Sequence, residues 1–124
     1  MAAPDRAVLV VEDDPDMREV EVLMLTGAGY RVMQAADGVE ALEQVAAEMP
    51  GLILLDMRMP RMNGWEFARE FRSRYNSGTP IVVVTAAPDA DARADEIAAD
   101  GCLSKPFRMA ALLEAVRRHL PRSV

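Results

Sequence analysis

Five short apolar runs, each followed by a stretch of helical periodicity, constrain this chain more than any other feature. The runs fall at residues 7–11, 30–35, 52–55, 81–84 and 101–103. The first, third and fourth are almost unbroken apolar, the pattern of strands covered on both faces of a parallel sheet. The second admits Arg31 and Gln34, and the fifth is very short, so both read as edge strands.

The intervening segments read as helices. Asp14 and Pro15 form an N-cap followed by proline at the first helical position. Met17, Val20 and Met24 then recur on one face until Gly27 and Gly29 stop the helix. Val39, Leu42, Val45 and Ala46 mark the second helix, and Asn63 caps the third, which turns Phe67, Ala68 and Phe71 inward. The fourth, over residues 91–99, is alanine-rich with Ile97 as its one large apolar anchor, so it is expected to be the most weakly attached and most mobile. Met109, Leu112, Leu113, Val116 and Leu120 stripe the last.

Strand and helix alternating five times require parallel strands with right-handed crossovers. The expected fold is α/β: a three-layer α/β/α sandwich around a five-stranded parallel sheet, in the flavodoxin-like order 2-1-3-4-5. A length of 124 residues, 51% of them hydrophobic, is enough for one domain with its own core, here 1–124 with the core at about 6–120 and no output domain. A net charge of −6 argues against nucleic-acid binding. The single cysteine, Cys102, excludes an internal disulfide and suits a reducing cytoplasm. No apolar run approaches the roughly 20 residues a membrane helix needs. The N-terminus, with Asp5 beside Arg6, does not read as a secretion signal.

The polar residues at the strand ends carry the chemistry. The first strand runs into Glu12, Asp13 and Asp14, the third into Asp56, the fourth into Thr85, and the fifth into Ser104, Lys105 and Pro106. Ligands of open parallel sheets bind beyond the carboxyl ends of the strands, at the switch in strand order, which here falls between the first and third strands. Glu12, Asp13 and Asp56 are therefore expected in one cleft, with Thr85 and Lys105 beside them. Clustered carboxylates repel, and a hard cation such as Mg²⁺ relieves the conflict. A carboxylate surrounded by a cation, a lysine and a hydroxyl describes a phosphoryl-transfer site with aspartate as covalent acceptor. Taken singly, each residue has a blander reading: Asp14 as a helix cap, Thr85 as a strand-end hydroxyl, Lys105 as a surface lysine. Their joint placement is what points to chemistry.

Four stretches then resemble the bacterial response-regulator receiver family, in order and at its spacing. They are Val10-Val11-Glu12-Asp13-Asp14-Pro15, Leu54 to Pro60 with Met62-Asn63-Gly64, Val83-Val84-Thr85-Ala86, and Ser104-Lys105-Pro106-Phe107. The resemblance implies that Asp56 accepts the phosphoryl group. Asp13, Asp56 and the backbone carbonyl of Arg58 would hold Mg²⁺, with Glu12 acting through metal-bound water. Thr85 and Lys105 would each meet a phosphoryl oxygen. Pro60 and Gly64 would shape the loop after the acceptor, and the Lys105–Pro106 peptide would be cis. The implied partners are a histidine kinase or histidine phosphotransfer protein as donor, and a downstream protein on the surface of the fourth helix, fifth strand and fifth helix. The implied setting is cytoplasmic, with no nucleic acid and no membrane bound.

One position departs from the family pattern. Three residues before the lysine, where the family carries Tyr or Phe, this chain has Cys102, read as a small half-buried filler. His119, Trp65, Met57, Met59 and Met62 read as packing, and Arg117 and Arg118 as a solvated helix end. A hydrolytic phosphatase with an aspartyl-phosphate intermediate would want an acid two residues after the nucleophile, where Arg58 stands. A flavin or nucleotide binder would want a Gly/Ser/Thr-rich loop after the first strand, where acids stand instead. A constitutive binding module would not need the complete acidic site, and a segment of a hybrid kinase would read the same way.

Overall fold

A computed structural model of the chain describes residues 6–86 and 90–120. Its elements are β1 (Val8–Val11), α1 (Pro15–Gly27), β2 (Val32–Ala35), α2 (Gly38–Ala47), β3 (Leu52–Leu55), α3 (Gly64–Arg74), β4 (Ile81–Ala86), α4 (Ala90–Glu96), β5 (Gly101–Lys105) and α5 (Met109–His119). All pairings are parallel, in the order β2-β1-β3-β4-β5. The fold class and strand order are those expected from the sequence.

The alternation of side chains along a strand explains why the central runs are apolar throughout. Leu9, Val11, Ile53, Leu55, Ile81 and Val83 pack with Leu42, Val45, Phe67, Phe71 and Ile97 of the α2–α4 layer. Val8, Val10, Leu52, Leu54, Val82 and Val84 pack with Leu25, Leu112 and Val116 of the α1–α5 layer. Each fully buried side chain of this size contributes about 1.5–3 kcal/mol relative to exposure, so both strand faces are committed to the core. Asn63 caps α3 as expected, and Glu66 closes a reciprocal capping box that the sequence reading did not include; α1 carries Asp14 as N-cap with Pro15 following.

The differences from expectation have local causes. β4 and β5 run past Val84 and Leu103, to Ala86 and Lys105, because their ladder continues through Thr85 opposite Ser104 and Ala86 opposite Lys105. β2 begins at Val32, two residues later than its apolar run. On α1 one member of the expected face was misplaced: Met17 and Met24 turn inward, but Val20 is 42% exposed, while Glu21 and Leu25 are buried. The inner face of α1 follows Met17, Glu21, Met24 and Leu25, and an acid at its centre hid it. In α2, Ala41 faces the core and Ala46 the solvent. In α5, Leu112 and Val116 are buried, while Met109, the first residue of the expected stripe, is 52% exposed.

α4 ends at Glu96, short of the expected span. Ile97 is buried in the turn after it. Polar ties from α3 add to that anchor. The Trp65 indole N–H donates to Glu96 Oε1 at 2.8 Å, the Arg93 guanidinium lies 5.6 Å from the centre of the Trp65 ring, and Arg72 donates to the carbonyls of Ile97 and Ala98.

Candidate functional site

Each candidate residue sits where a strand ends. Glu12 leaves β1 with its amide bound to the carbonyl of Ala35 on β2, at 3.0 Å. Asp56 leaves β3 with its amide bound to the carbonyl of Val11 on β1, at 3.0 Å. The sheet ladder thus continues one residue into the site, and the two acids share its rigidity. Arg18 of α1 donates to the Glu12 carbonyl at 2.8 Å, which ties the first turn of that helix to the same corner.

Glu12, Asp13 and Asp56 each offer a carboxylate oxygen, and these oxygens lie within 4.8 Å of one another. Asp13 is exposed, while Glu12 and Asp56 are buried, at 2% and 7% exposure. Lys105, at the end of β5, reaches across the sheet ends. Its ammonium is 2.5 Å from Glu12 Oε1 and 3.6 Å from Asp56 Oδ2. Thr85 is buried at the end of β4, beside β5 and one ladder step before Lys105. The ion-pair cluster itself comprises Lys105, Glu12 and Asp56; Thr85 is its neighbour in the sheet and not a member.

The loop after Asp56 folds back tightly. The Arg58 amide points to Asp56 Oδ1 at 3.4 Å, and the Gly64 amide donates to the carbonyl of Met57 at 2.9 Å. A Cβ on Gly64 would fall 2.7 Å from the Asp56 carbonyl oxygen, so only glycine allows this closure. The Lys105–Pro106 peptide is cis. Cys102 is half-buried on β5 and packs against the α2–α4 layer of the core.

Charge and burial set the protonation of the cluster. Burial, foremost, and then the hydrogen bond and negative charge of Glu12 push the Asp56 carboxyl up to about 7. Lys105 and the Arg58 amide pull in the other direction. For Lys105, burial disfavours the ammonium, but the carboxylates of Glu12 and Asp56 outweigh it and hold its pKa above the ordinary value.

One acid escaped the sequence reading. Glu21, on the inner face of α1, is 1% exposed, and its Oε2 meets no hydrogen-bond partner among the described residues. Burial, and next the charge of Glu12, push Glu21 up to about 8. The available signal was its spacing, four residues after Met17 and four before Leu25 on a helix face that must be buried. Asp37 and Arg61 were missed as well. They form an ion pair of 2.7 Å beside the loop that follows Asp56.

A five-stranded parallel sheet with acids at its switch point and a lysine reaching over them defines a receiver-type α/β domain. The response regulator receiver domain profile matches residues 8–117, and the chain belongs to that family. It is 41% identical over 118 residues to the response regulator MprA of Mycobacterium ulcerans, a match covering 94% of this chain and 50% of that protein. It is 38% identical over 118 residues to the DNA-binding response regulator MtrA of Mycolicibacterium smegmatis, covering 94% of this chain and 51% of that one. This chain therefore spans about half the length of the curated relatives it matches. Among solved structures, the chemotaxis protein CheY4 of Vibrio cholerae superposes with a TM-score of 0.84 at 33% identity, over 94% of this chain and 100% of that one. Receiver domains of this kind are signalling modules of two-component systems. Among the described residues, no helix is long and apolar enough to cross a membrane.

Proposed function

We propose that Asp56 accepts a phosphoryl group from a phosphohistidine, that Mg²⁺ assists, and that the modification switches a protein-interaction surface. The observation that carries this reading is the environment of Asp56. It is a buried carboxylate whose oxygen lies within 4.8 Å of those of Glu12 and Asp13, with the Lys105 ammonium at 3.6 Å.

The donor set fits a hard cation, because all of its ligand atoms are oxygens and the local charge is negative. Asp13, Asp56 and the carbonyl of Arg58 would hold Mg²⁺, with Glu12 acting through water. Bound Mg²⁺ supplies charge neutralisation for the non-bridging phosphoryl oxygens. A carboxylate oxygen of Asp56 attacks phosphorus, the P–N bond to the donor imidazole breaks, and its electron pair returns to the imidazole nitrogen. An acyl phosphate results. Lys105 exchanges its contact with Glu12 for a phosphoryl oxygen, and Thr85 donates its hydroxyl to another. The domain thereby catalyses its own modification, and slow hydrolysis reverses it.

The proposed donor is a histidine kinase or a histidine phosphotransfer protein, and the proposed setting is the cytoplasm. The switched surface is α4, β5 and α5, which lie beside Thr85 and Lys105. The DNA binding in the name of the M. smegmatis relative belongs to a protein about twice as long as this chain. For these 124 residues, with a net charge of −6, the proposed partners are proteins and not nucleic acid, and 1–124 works as one receiver unit.

Acetyl phosphate with Mg²⁺ tests the reading. Intact mass should rise by one phosphoryl group, and Asp56→Asn should abolish the gain. Asp13→Ala should lose most Mg²⁺ affinity and remain folded. Full phosphorylation in excess chelator contradicts the role of the metal, and unchanged labelling of Asp56→Asn contradicts the acceptor.

A further inference from the structure

Arg61 occupies the loop after the acceptor with φ +59, a left-handed conformation that residues bearing a Cβ adopt reluctantly. Its guanidinium Nε donates to Asp37 Oδ2 at 2.7 Å, and its Nη2 lies 3.7 Å from Glu40 Oε2. Asp37 is 4% exposed and spends its other oxygen on the Glu40 amide at 3.0 Å, as the N-cap of α2. Burial alone would raise the Asp37 pKa. The Arg61 hydrogen bond and the α2 amides outweigh it and hold the group below the ordinary value, as an ionised partner.

A second bond accompanies the ion pair. The Gly38 amide donates to the Met62 carbonyl at 2.9 Å, and a Cβ on Gly38 would meet the Met62 side chain at 2.5 Å. The loop is thus fixed at both ends: Gly64 ties it to Met57 beneath the acceptor, and Arg61 and Met62 tie it to the start of α2. Arg58 lies between these ties. Its amide points to Asp56.

We propose that Asp37 and Arg61 are positioning residues for the acceptor site: their ion pair holds the loop in its left-handed turn and thereby presents the Arg58 backbone to the cation and to Asp56. This rests on the proposed function, since the cation is the one assigned there. Neither residue is among those assigned to the cation or the phosphoryl group. The pair acts through backbone geometry, so glycine, which takes positive φ without help, is the informative replacement.

The test measures Mg²⁺ affinity by calorimetry on the purified chain, with thermal melting and phosphoramidate kinetics alongside. Arg61→Ala should weaken Mg²⁺ binding about tenfold, the usual scale for groups that orient a ligand from behind. Arg61→Gly should recover most of that loss, although it lacks the guanidinium. Asp37→Asn keeps a good helix cap and should weaken Mg²⁺ as Arg61→Ala does. The maximal phosphorylation rate at limiting Mg²⁺ should fall, with the half-saturating donor concentration unchanged. Unaltered Mg²⁺ affinity in Arg61→Ala overturns the inference, even if that variant melts earlier. Equal losses in Arg61→Ala and Arg61→Gly overturn it too, because the charge and not the turn would then be acting. An unaltered chain that binds no Mg²⁺ and takes no phosphoryl group overturns the proposed function, and this inference with it.

Discussion

The Lys105 ammonium rests on Glu12, at 2.5 Å, and stands farther from Asp56, at 3.6 Å. The lysine therefore neutralises the acid that would hold metal-bound water and leaves the Asp56 oxygen free to act as the nucleophile. Removing this cation has two opposite effects. Lys105→Met should bind Mg²⁺ more tightly above pH 7, because one positive charge leaves the cleft. Phosphorylation should nevertheless slow by on the order of a hundredfold to a thousandfold, since a preorganised donor for the phosphoryl oxygens is lost. Calorimetry and acetyl phosphate kinetics on the same preparation measure both effects. Equal weakening of both would contradict the assignment of Lys105 to the phosphoryl group.

Glu21 gives stability a pH dependence. Its pKa is raised from 4.5 to about 8 in the fold, with burial the main cause. The folded state then binds a proton that the unfolded chain has lost. Stability from this group is fully present below pH 4.5 and declines as pH rises through about 8. The limiting slope is about 1.4 kcal/mol per pH unit for one such group. Asp56, raised to about 7, acts in the same direction. With chelator present, the melting temperature should fall between pH 5 and 8, and Glu21→Gln should flatten that fall. A melting temperature that rises over the same interval in the unaltered chain refutes the argument.

The phosphorylated form should persist. In the receiver family, the residues two after the acceptor and two after the threonine orient or block the attacking water. Here they are Arg58, which is exposed, and Ala87, which lies outside the described residues. Neither carries a carboxamide or carboxylate to align water. Decay of phosphoryl-Asp56, followed by intact mass, should be faster in the double variant Arg58→Asn with Ala87→Glu. A half-life of seconds in the unaltered chain would be the contrary result.

Cys102 stands where the family carries a ring, and its small side chain has little area to exchange between buried and exposed positions. Burying a large aromatic is worth roughly 1.5–3 kcal/mol, and a thiol offers much less. The signal is therefore expected to travel through Thr85, the 87–89 connection and α4. Hydrogen exchange across residues 86–99 should change on phosphorylation, and Cys102→Ser should preserve both the labelling and the change. Loss of the change in Cys102→Ser would give the thiol a specific role.

The sheet was legible because β1, β3 and β4 are buried on both faces and alternate with helical stretches, the pattern of a parallel sheet between helices. The grouping of Glu12, Asp56 and Lys105, with Thr85 nearby, followed from it, since strand ends are where these residues had to fall. Helix faces were less legible where an acid points inward: Glu21 made α1 look rotated, and Val20 was placed inside. Strand lengths depend on a partner's ladder, so the extension of β4 and β5 has no local signature. The Asp37–Arg61 pair spans 24 positions, and no local pattern in the sequence links its two members.

The polar seam between α3 and α4 should make this corner sensitive to ionic strength. Trp65 and Arg72 of α3 bind Glu96, Arg93 and the turn after α4 through charged hydrogen bonds and a cation–π contact, alongside the buried side chains of Ala90, Ala94 and Ile97. Charge is screened over about 10 Å at 0.1 M salt, whereas apolar burial strengthens with kosmotropic salts. Added sodium chloride should weaken the exposed charge contacts of α4 modestly and leave the sheet unchanged, so any salt dependence of this helix would report on the polar seam.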